Sequence, residues 1–348
     1  MCPCKSRRVL AFVISISALG TCQAQNGRGS SDGIAALQAR ARAGDPRAQL
    51  QLGSDYESRT QVTQDLTEAA RWYRKAAEQG VTDAETQLGV MYLLGRGVQE
   101  NFTEAQHWLR KAAEKGDPFA ESNLGNIYHD GEGVSKDLAQ AANWYRKSAL
   151  QRNMIGQYEL ARMYLYGDGL QQDYAQAADL FRKAATQDCP PAQQFLGMMY
   201  YSGQGVPKDL VQSAAWLRKA ADWGLPHAQF LVGMLYEFGE GMQKDTSEAA
   251  KWYSKSADQG DVDAQYNLAV AYAKGEGVPK DFPIAYEWVN LAAMTNEKAR
   301  SMRDKIEKVM TPAQIAEGQQ LSREWLAKHP STESGPIDLG VVPIREAR

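Results

Sequence analysis

The side chains that could do chemistry are present in this chain, but their spacing withholds it. His107, His129, His227 and His329 lie far apart, and no His-Glu-x-x-His string sets two of them on one helix face, so no zinc ligand set is legible. Six Gly-x-Gly turns, at 95/97, 131/133, 167/169, 203/205, 239/241 and 275/277, invite a phosphate-cradle reading. None is followed by Gly-Lys-Ser/Thr, and none completes Gly-x-Gly-x-x-Gly behind a strand, so they read as links between helices. Asp130, Glu132, Asp168, Glu240 and Glu276 sit in those turns without the alternating spacing of a calcium loop, which makes them solvated turn charges. No Ser-x-x-Lys pair exists, and no Gly-x-Ser-x-Gly elbow is expected in the chain. Once the N-terminal cysteines are set aside, Cys189 reads as a small apolar filler rather than as half of a disulfide. The expectation is a protein without catalytic residues, cofactor or metal.

Composition narrows the class further. Of 348 residues, 23% are charged and 43% hydrophobic, an ordinary globular balance that excludes a disordered chain, a collagen-like fibre and a disulfide scaffold. A net charge of -3 gives nucleic acid no basic face to bind. Sixteen Tyr, eight Trp and thirty Gly beside only eight Phe are the odd counts, and they need an explanation. At the N-terminus, Lys5, Arg7 and Arg8 precede an apolar run from Val9 to Gly20, with small residues around Ala24, which is the pattern of an export signal. The run is too short for a transmembrane helix, and no other stretch approaches one. Leu19-Gly20-Thr21-Cys22 resembles a bacterial lipoprotein signal, although Thr is a poor residue ahead of a lipidated Cys. A periplasmic or secreted protein is expected, with an outer-membrane lipoprotein anchored at Cys22 as the alternative.

Self-comparison explains the aromatic excess. Tyr recurs at 56, 92, 128, 164, 200, 236 and 272, always 36 residues apart, and Trp at 72, 108, 144, 216, 252 and 288, with Leu180 in the gap. Each repeat reads as two helices. Ala84, Leu88 and Tyr92 share one face of the first, Gly89 permits close approach, and Ala105, Trp108 and Ala112 form the stripe of the second. Second helices open on capping-box pairs: Asp65/Glu68, Asn101/Glu104, Asp137/Gln140, Asp173/Gln176, Asp209/Gln212 and Asp245/Glu248. Gly80, Gly116, Gly224 and Gly260 close them. Such pairs cannot bury their apolar faces alone, so they must stack.

The pattern Ala-x3-Leu-Gly-x2-Tyr-x2-Gly-x-Gly-Val-x3-Asp-x3-Ala-x2-Trp-x2-Lys-Ala-Ala resembles the Sel1-like repeat, a relative of the tetratricopeptide repeat, with the best matches at 84–113, 120–149 and 192–221. The first repeat departs from it, with Arg59 and Gln61 in place of the turn glycines, as does the fourth, with Gly156, Ala161 and Leu180. The resemblance implies an all-α, right-handed superhelical solenoid of about seven 36-residue helix-turn-helix repeats. The expected division is a signal peptide at 1–24, a leader and N-terminal cap at 25–44, repeats at 45–296, C-terminal capping helices at 297–329 and a tail at 330–348. Ala299, Met302, Ile306 and Val309 mark the first capping helix, and a capping box at Thr311/Gln314 opens the second.

The resemblance also implies that first helices line a concave groove for an extended or helical peptide. The groove columns of repeats four to seven carry Tyr158, Arg162, Tyr166, Met198, Tyr201, Phe230, Met234, Phe238 and Tyr266, the residue types that binding hot spots favour. The functional expectation is therefore a non-enzymatic bacterial envelope scaffold that binds a protein or peptide. Some relatives are linked to penicillin binding or weak β-lactamase activity, but they resemble versions with two Cys per repeat, which this chain lacks. A cell-wall enzyme or peptidoglycan-binding protein and a purely structural envelope spacer are the alternatives.

Overall fold

A computed structural model describes residues 31–58 and 62–329. The described residues form helices and turns without a strand, and they divide into two compact units, one ending at Gln172 and one beginning at Asp173. The expected signal peptide with Cys22, the start of the leader, the turn residues Arg59 and Gln61, and the tail all lie outside the described residues. No helix among the described residues is long and apolar enough to cross a membrane.

The first unit holds α1 (Ser31–Arg42), α2 (Pro46–Ser58), α3 (Leu66–Glu78), α4 (Thr82–Leu94), α5 (Phe102–Glu114), α6 (Pro118–Asp130), α7 (Leu138–Leu150) and α8 (Met154–Tyr166). The second holds α9 (Tyr174–Ala185), α10 (Pro190–Ser202), α11 (Leu210–Asp222), α12 (Pro226–Phe238), α13 (Thr246–Asp258), α14 (Val262–Lys274), α15 (Phe282–Ala292), α16 (Glu297–Glu307) and α17 (Pro312–Lys328). The chain is an all-α solenoid in which helices pack on their sequence neighbours within a unit, except that α17 packs on α15 rather than on α16. α1, from Ser31 to Arg42, lies ahead of the first repeat. Val309 lies beyond the end of α16 and is 65% exposed, so the first capping helix is shorter than its apolar spacing suggested.

Small residues set the spacing between paired helices. A Cβ at Gly125 would drive into the ring of Tyr145, which is itself buried. The turns need glycine for a second reason. Gly205 has φ +71°, and a Cβ there would overlap the carbonyl oxygen of Tyr174 at the start of α9.

The N-caps are present, but the boxes are not closed as expected. Asp65, Asn101, Asp173, Asp209 and Asp245 each accept two backbone N–H groups of the helix they open. The glutamates three residues on turn elsewhere: Glu68 to Arg71, Glu104 to the indole of Trp108, Glu248 to Lys251. The reason is that the cap N–H is already taken. Asp65, Asn101 and Asp245 donate it to the carbonyls of Tyr56, Tyr92 and Tyr236, so a reciprocal carboxylate has nothing to accept. A full capping box forms at Thr311 and Gln314.

A second ladder ties the second helix of a repeat to the first helix of the same repeat, in four of the repeats. The residue that ends a second helix reaches back thirty positions: Gln79 to Gln49 at 2.7 Å, Lys115 to Glu85 at 2.7 Å, Gln151 to Glu121 and Gln259 to Gln229 at 2.8 Å. In the fifth repeat this rung is Trp223, 64% exposed, and the buried Gln193 across from it keeps an unpartnered Oε1.

Candidate functional site

The face made by first helices is built from interstices, each bounded by two successive first helices and floored by the second helix between them. Repeat symmetry makes these comparable position by position. A residue of one interstice has its counterpart 36 positions on.

In the second unit, Met198 and Tyr201 of α10 meet Leu231, Met234 and Leu235 of α12 over Leu217 of α11, enclosing an apolar crevice. Met198 is 9% exposed, whereas Tyr201 and Met234 are half-buried. The phenol of Tyr201 donates to Glu240 Oε2 at 2.7 Å, and Lys208 lies 5.5 Å from its ring centre. Burial and the Glu240 carboxylate push that phenol up to about 12, so it stays a donor. Phe238, one turn beyond Met234 on α12, is 60% exposed. Glu237, Tyr253, Asn267, Val270 and Ala271 occupy the same places in the next interstice, with Glu276 at its edge. There Tyr253 donates to Glu237 Oε2, and burial together with that carboxylate raises its phenol far above the ordinary tyrosine range.

In the first unit the corresponding spaces are filled from within. Glu57 accepts from the Tyr73 hydroxyl at 2.9 Å and pairs with Arg96 at 3.3 Å. Between α6 and α8, Arg162 pairs with Glu159 at 3.0 Å, their side chains 17% and 12% exposed, and His129 pairs with Asp130 at 2.7 Å. Burial raises the Glu159 carboxyl, opposed by Arg162 and His129. Tyr145 donates to Asn126 at 2.7 Å beside them. Arg162 also lies 5.8 Å from the ring centre of Tyr158.

The expected groove residues therefore divide. Met198, Tyr201 and Met234 are brought together, with Phe238 on the same helix face. Tyr158 is 3% exposed beneath Arg162, and Phe230 is 9% exposed, tilted against Tyr253 and His227. These two are core. Tyr266 is half-buried against the second unit's core, and Tyr166 is 36% exposed at the end of α8. Residue-type reasoning passed over Glu237 and Asn267, because it searched for aromatics, Met and Arg, and it read Glu276 as a solvated turn charge. Counting 36 onward from Tyr201 would have found Glu237.

Chemistry by side chains finds no constellation. The described residues hold no group of three potential His, Cys, Asp or Glu metal ligands. Cys189 is buried at the cap of α10. One Gly-x-Ser-x-Gly string does exist, Gly29 to Gly33, but its Ser31 opens α1 in an all-helical unit, away from the strand-to-helix elbow that activates such a serine.

The Sel1 repeat family matches the chain at residues 46–81, 82–117, 118–153, 155–189, 190–224, 226–261 and 262–294. Among solved structures, a Sel1 repeat protein from Oxalobacter formigenes is 36% identical, with a TM-score of 0.63 over 79% of this chain and 80% of that one. A protective antigen present in uropathogenic Escherichia coli strains, displaying an SLR fold, is 27% identical over 85% of this chain and 87% of that one, with a TM-score of 0.49. An immunity protein from Pseudomonas aeruginosa is 24% identical over 65% and 82%, with a TM-score of 0.39. No curated protein matches.

Proposed function

Because the chain belongs to the Sel1 repeat family, whose members typically act as protein–protein interaction scaffolds, we propose that it is a non-enzymatic scaffold of the bacterial envelope. It takes a peptide or protein segment on the first-helix face of its repeats. The observation that carries this reading is the apolar crevice of Met198, Tyr201 and Met234, continued by the exposed Phe238. Methionine and aromatic side chains in a half-open crevice offer adaptable apolar contact, which suits a docked side chain. Export rests on the charged, apolar and small-residue order of the first 24 positions.

The test is crosslinking capture from the native envelope with wild-type protein and with the Tyr201→Ala, Met234→Ala, Phe238→Ala triple variant. Partners captured by the wild type and lost by the variant, at unchanged helicity, support the reading. Undiminished capture by the variant overturns it.

A further inference from the structure

The apolar crevice has an unequal twin. Met198, Tyr201, Leu217, Leu231, Met234 and Leu235 correspond, 36 positions on, to Met234, Glu237, Tyr253, Asn267, Val270 and Ala271. The fold thus presents a like opening twice on one face of the second unit, once lined by apolar groups alone and once by Ala249, Ala250, Val270 and Ala271 together with a carboxylate, an amide and a phenol. Glu237 Oε2 accepts from Tyr253, and among the described residues no cation pairs with Glu237. Its counterpart Glu57 in the first unit is paired with Arg96. Glu276, 53% exposed, adds a second carboxylate at the rim, and Lys274, 3.5 Å from it, offsets that charge alone. The twin opening keeps one uncompensated negative charge.

We propose that the second unit recognises an extended peptide bearing an apolar side chain and, about three residues away, a lysine or arginine. The apolar side chain lies over Met198, Tyr201 and Met234 and against the exposed Phe238, since the crevice itself has room for about one water, and the basic one lies over Glu237 and Glu276. Charge complementarity selects this occupant. A basic side chain supplies the cation that Glu237 lacks, and a charge-assisted hydrogen bond in a half-buried crevice is among the stronger polar contacts. The spacing follows from geometry: packed helices lie about 8–10 Å apart, and a peptide extended as polyproline II, with about three residues per turn and a rise of about 3.1 Å, sets side chains three apart on one side at about that distance. This inference rests on the first-helix face being the docking surface.

The test is selection of a random dodecapeptide display library on the full chain, followed by affinities of the selected peptides. The expected result is enrichment of Leu, Met or Phe spaced about three residues from Lys or Arg. The Glu237→Gln, Glu276→Gln variant should bind these peptides about tenfold more weakly and select apolar peptides without the basic residue. Apolar peptides selected with no basic preference, or a basic preference unchanged in the Gln variant, overturn this inference and leave the docking face standing. If Met234→Ala with Phe238→Ala selects the same peptides as wild type, or if nothing is enriched over a blank surface, the docking face falls too.

Discussion

The backbone N–H of Asp209 donates to the carbonyl of Tyr200 at 2.9 Å, across the turn that holds Gly203 and Gly205. Asp209 thus works in two directions. Its side chain caps α11 through the N–H groups of Val211 and Gln212, while its own N–H ties that cap to the end of α10. Tyr200 and Asp209 each recur every 36 residues, apart from an Asn at 101, so the repeat conserves within itself a joint as well as a packing pattern.

Replacing Asp209 by Ala removes the side-chain acceptor of both N–H groups. The expected loss is about 1 kcal/mol, read as a lower urea midpoint and faster amide exchange at the start of α11. Asp209→Asn should retain most of it.

Gly205→Ala should cost more. The substitution meets both a left-handed backbone and the carbonyl oxygen of Tyr174. The backbone part alone is about 1–2 kcal/mol, so a total of at least about 2 kcal/mol is expected from the same urea titration.

Asp55 is 1% exposed, with Oδ2 unpartnered and Oδ1 accepting from Gln51 at 3.0 Å. Its column is apolar in the next repeats of the unit, at Met91, Ile127 and Met163. Burial raises its carboxyl. The unfolded chain therefore releases the proton first, and the folded state loses stability as pH rises from about 4. Asp55→Leu should stabilise by about 1–3 kcal/mol at pH 7, with the gain shrinking toward pH 3 in pH-dependent denaturation.

Glu287 of α15 is pushed up to about 6, first by burial and then by Asp258 and Glu324, with Lys328 opposing. Glu324 and Lys328 belong to α17, whose Ser322 donates to the Glu287 carbonyl at 3.2 Å. Trp325 packs 6.5 Å from Trp288, and His329, whose protonated ring would attract Asp258, stacks on Trp325. A raised carboxyl destabilises the docked state as pH climbs from the unfolded value through about 6. Amide exchange in α17, corrected for its intrinsic pH dependence, should therefore quicken as pH climbs from about 4 and level off above pH 6. Glu287→Gln should slow it there by about 1 kcal/mol of protection after solvent screening, and should change nothing at pH 4.

Trp223→Gln should restore the missing rung. A Gln amide at this position donates to Gln229 and Gln49 in the neighbouring cases of the ladder, and Gln193 Oε1 waits unpartnered. A gain of about 1 kcal/mol in urea unfolding is expected.

Most of the fold was legible because its causes are local and repeated. The Asp caps, the positive-φ glycines and the Ala, Tyr and Trp columns each act within a few residues, and seven copies reinforce one another. What misled was also local in appearance. The Asp or Asn followed by Glu or Gln at the head of six second helices promises a closed box, yet at Asp65, Asn101 and Asp245 the cap N–H is spent on a tyrosine carbonyl nine residues back. Residue type pointed alike to Tyr201, Met234 and Phe238, which are half-buried or exposed, and to Tyr158, Met198 and Phe230, which are buried.

The sequence by itself determined that this chain is an all-helical array of Sel1 repeats, since a 36-residue period with capped, amphipathic helix pairs has no other way to bury its apolar faces. Only the tertiary structure decided which interstices are filled and which stay open. Arg162 looks like a groove residue until Glu159 is found 3.0 Å away. Glu237 looks like a surface charge until it stands where Tyr201 stands one repeat earlier, facing no cation. Whether a side chain is spent inside the fold or left for a partner depends on neighbours contributed by other helices, and periodicity along the chain does not carry that information.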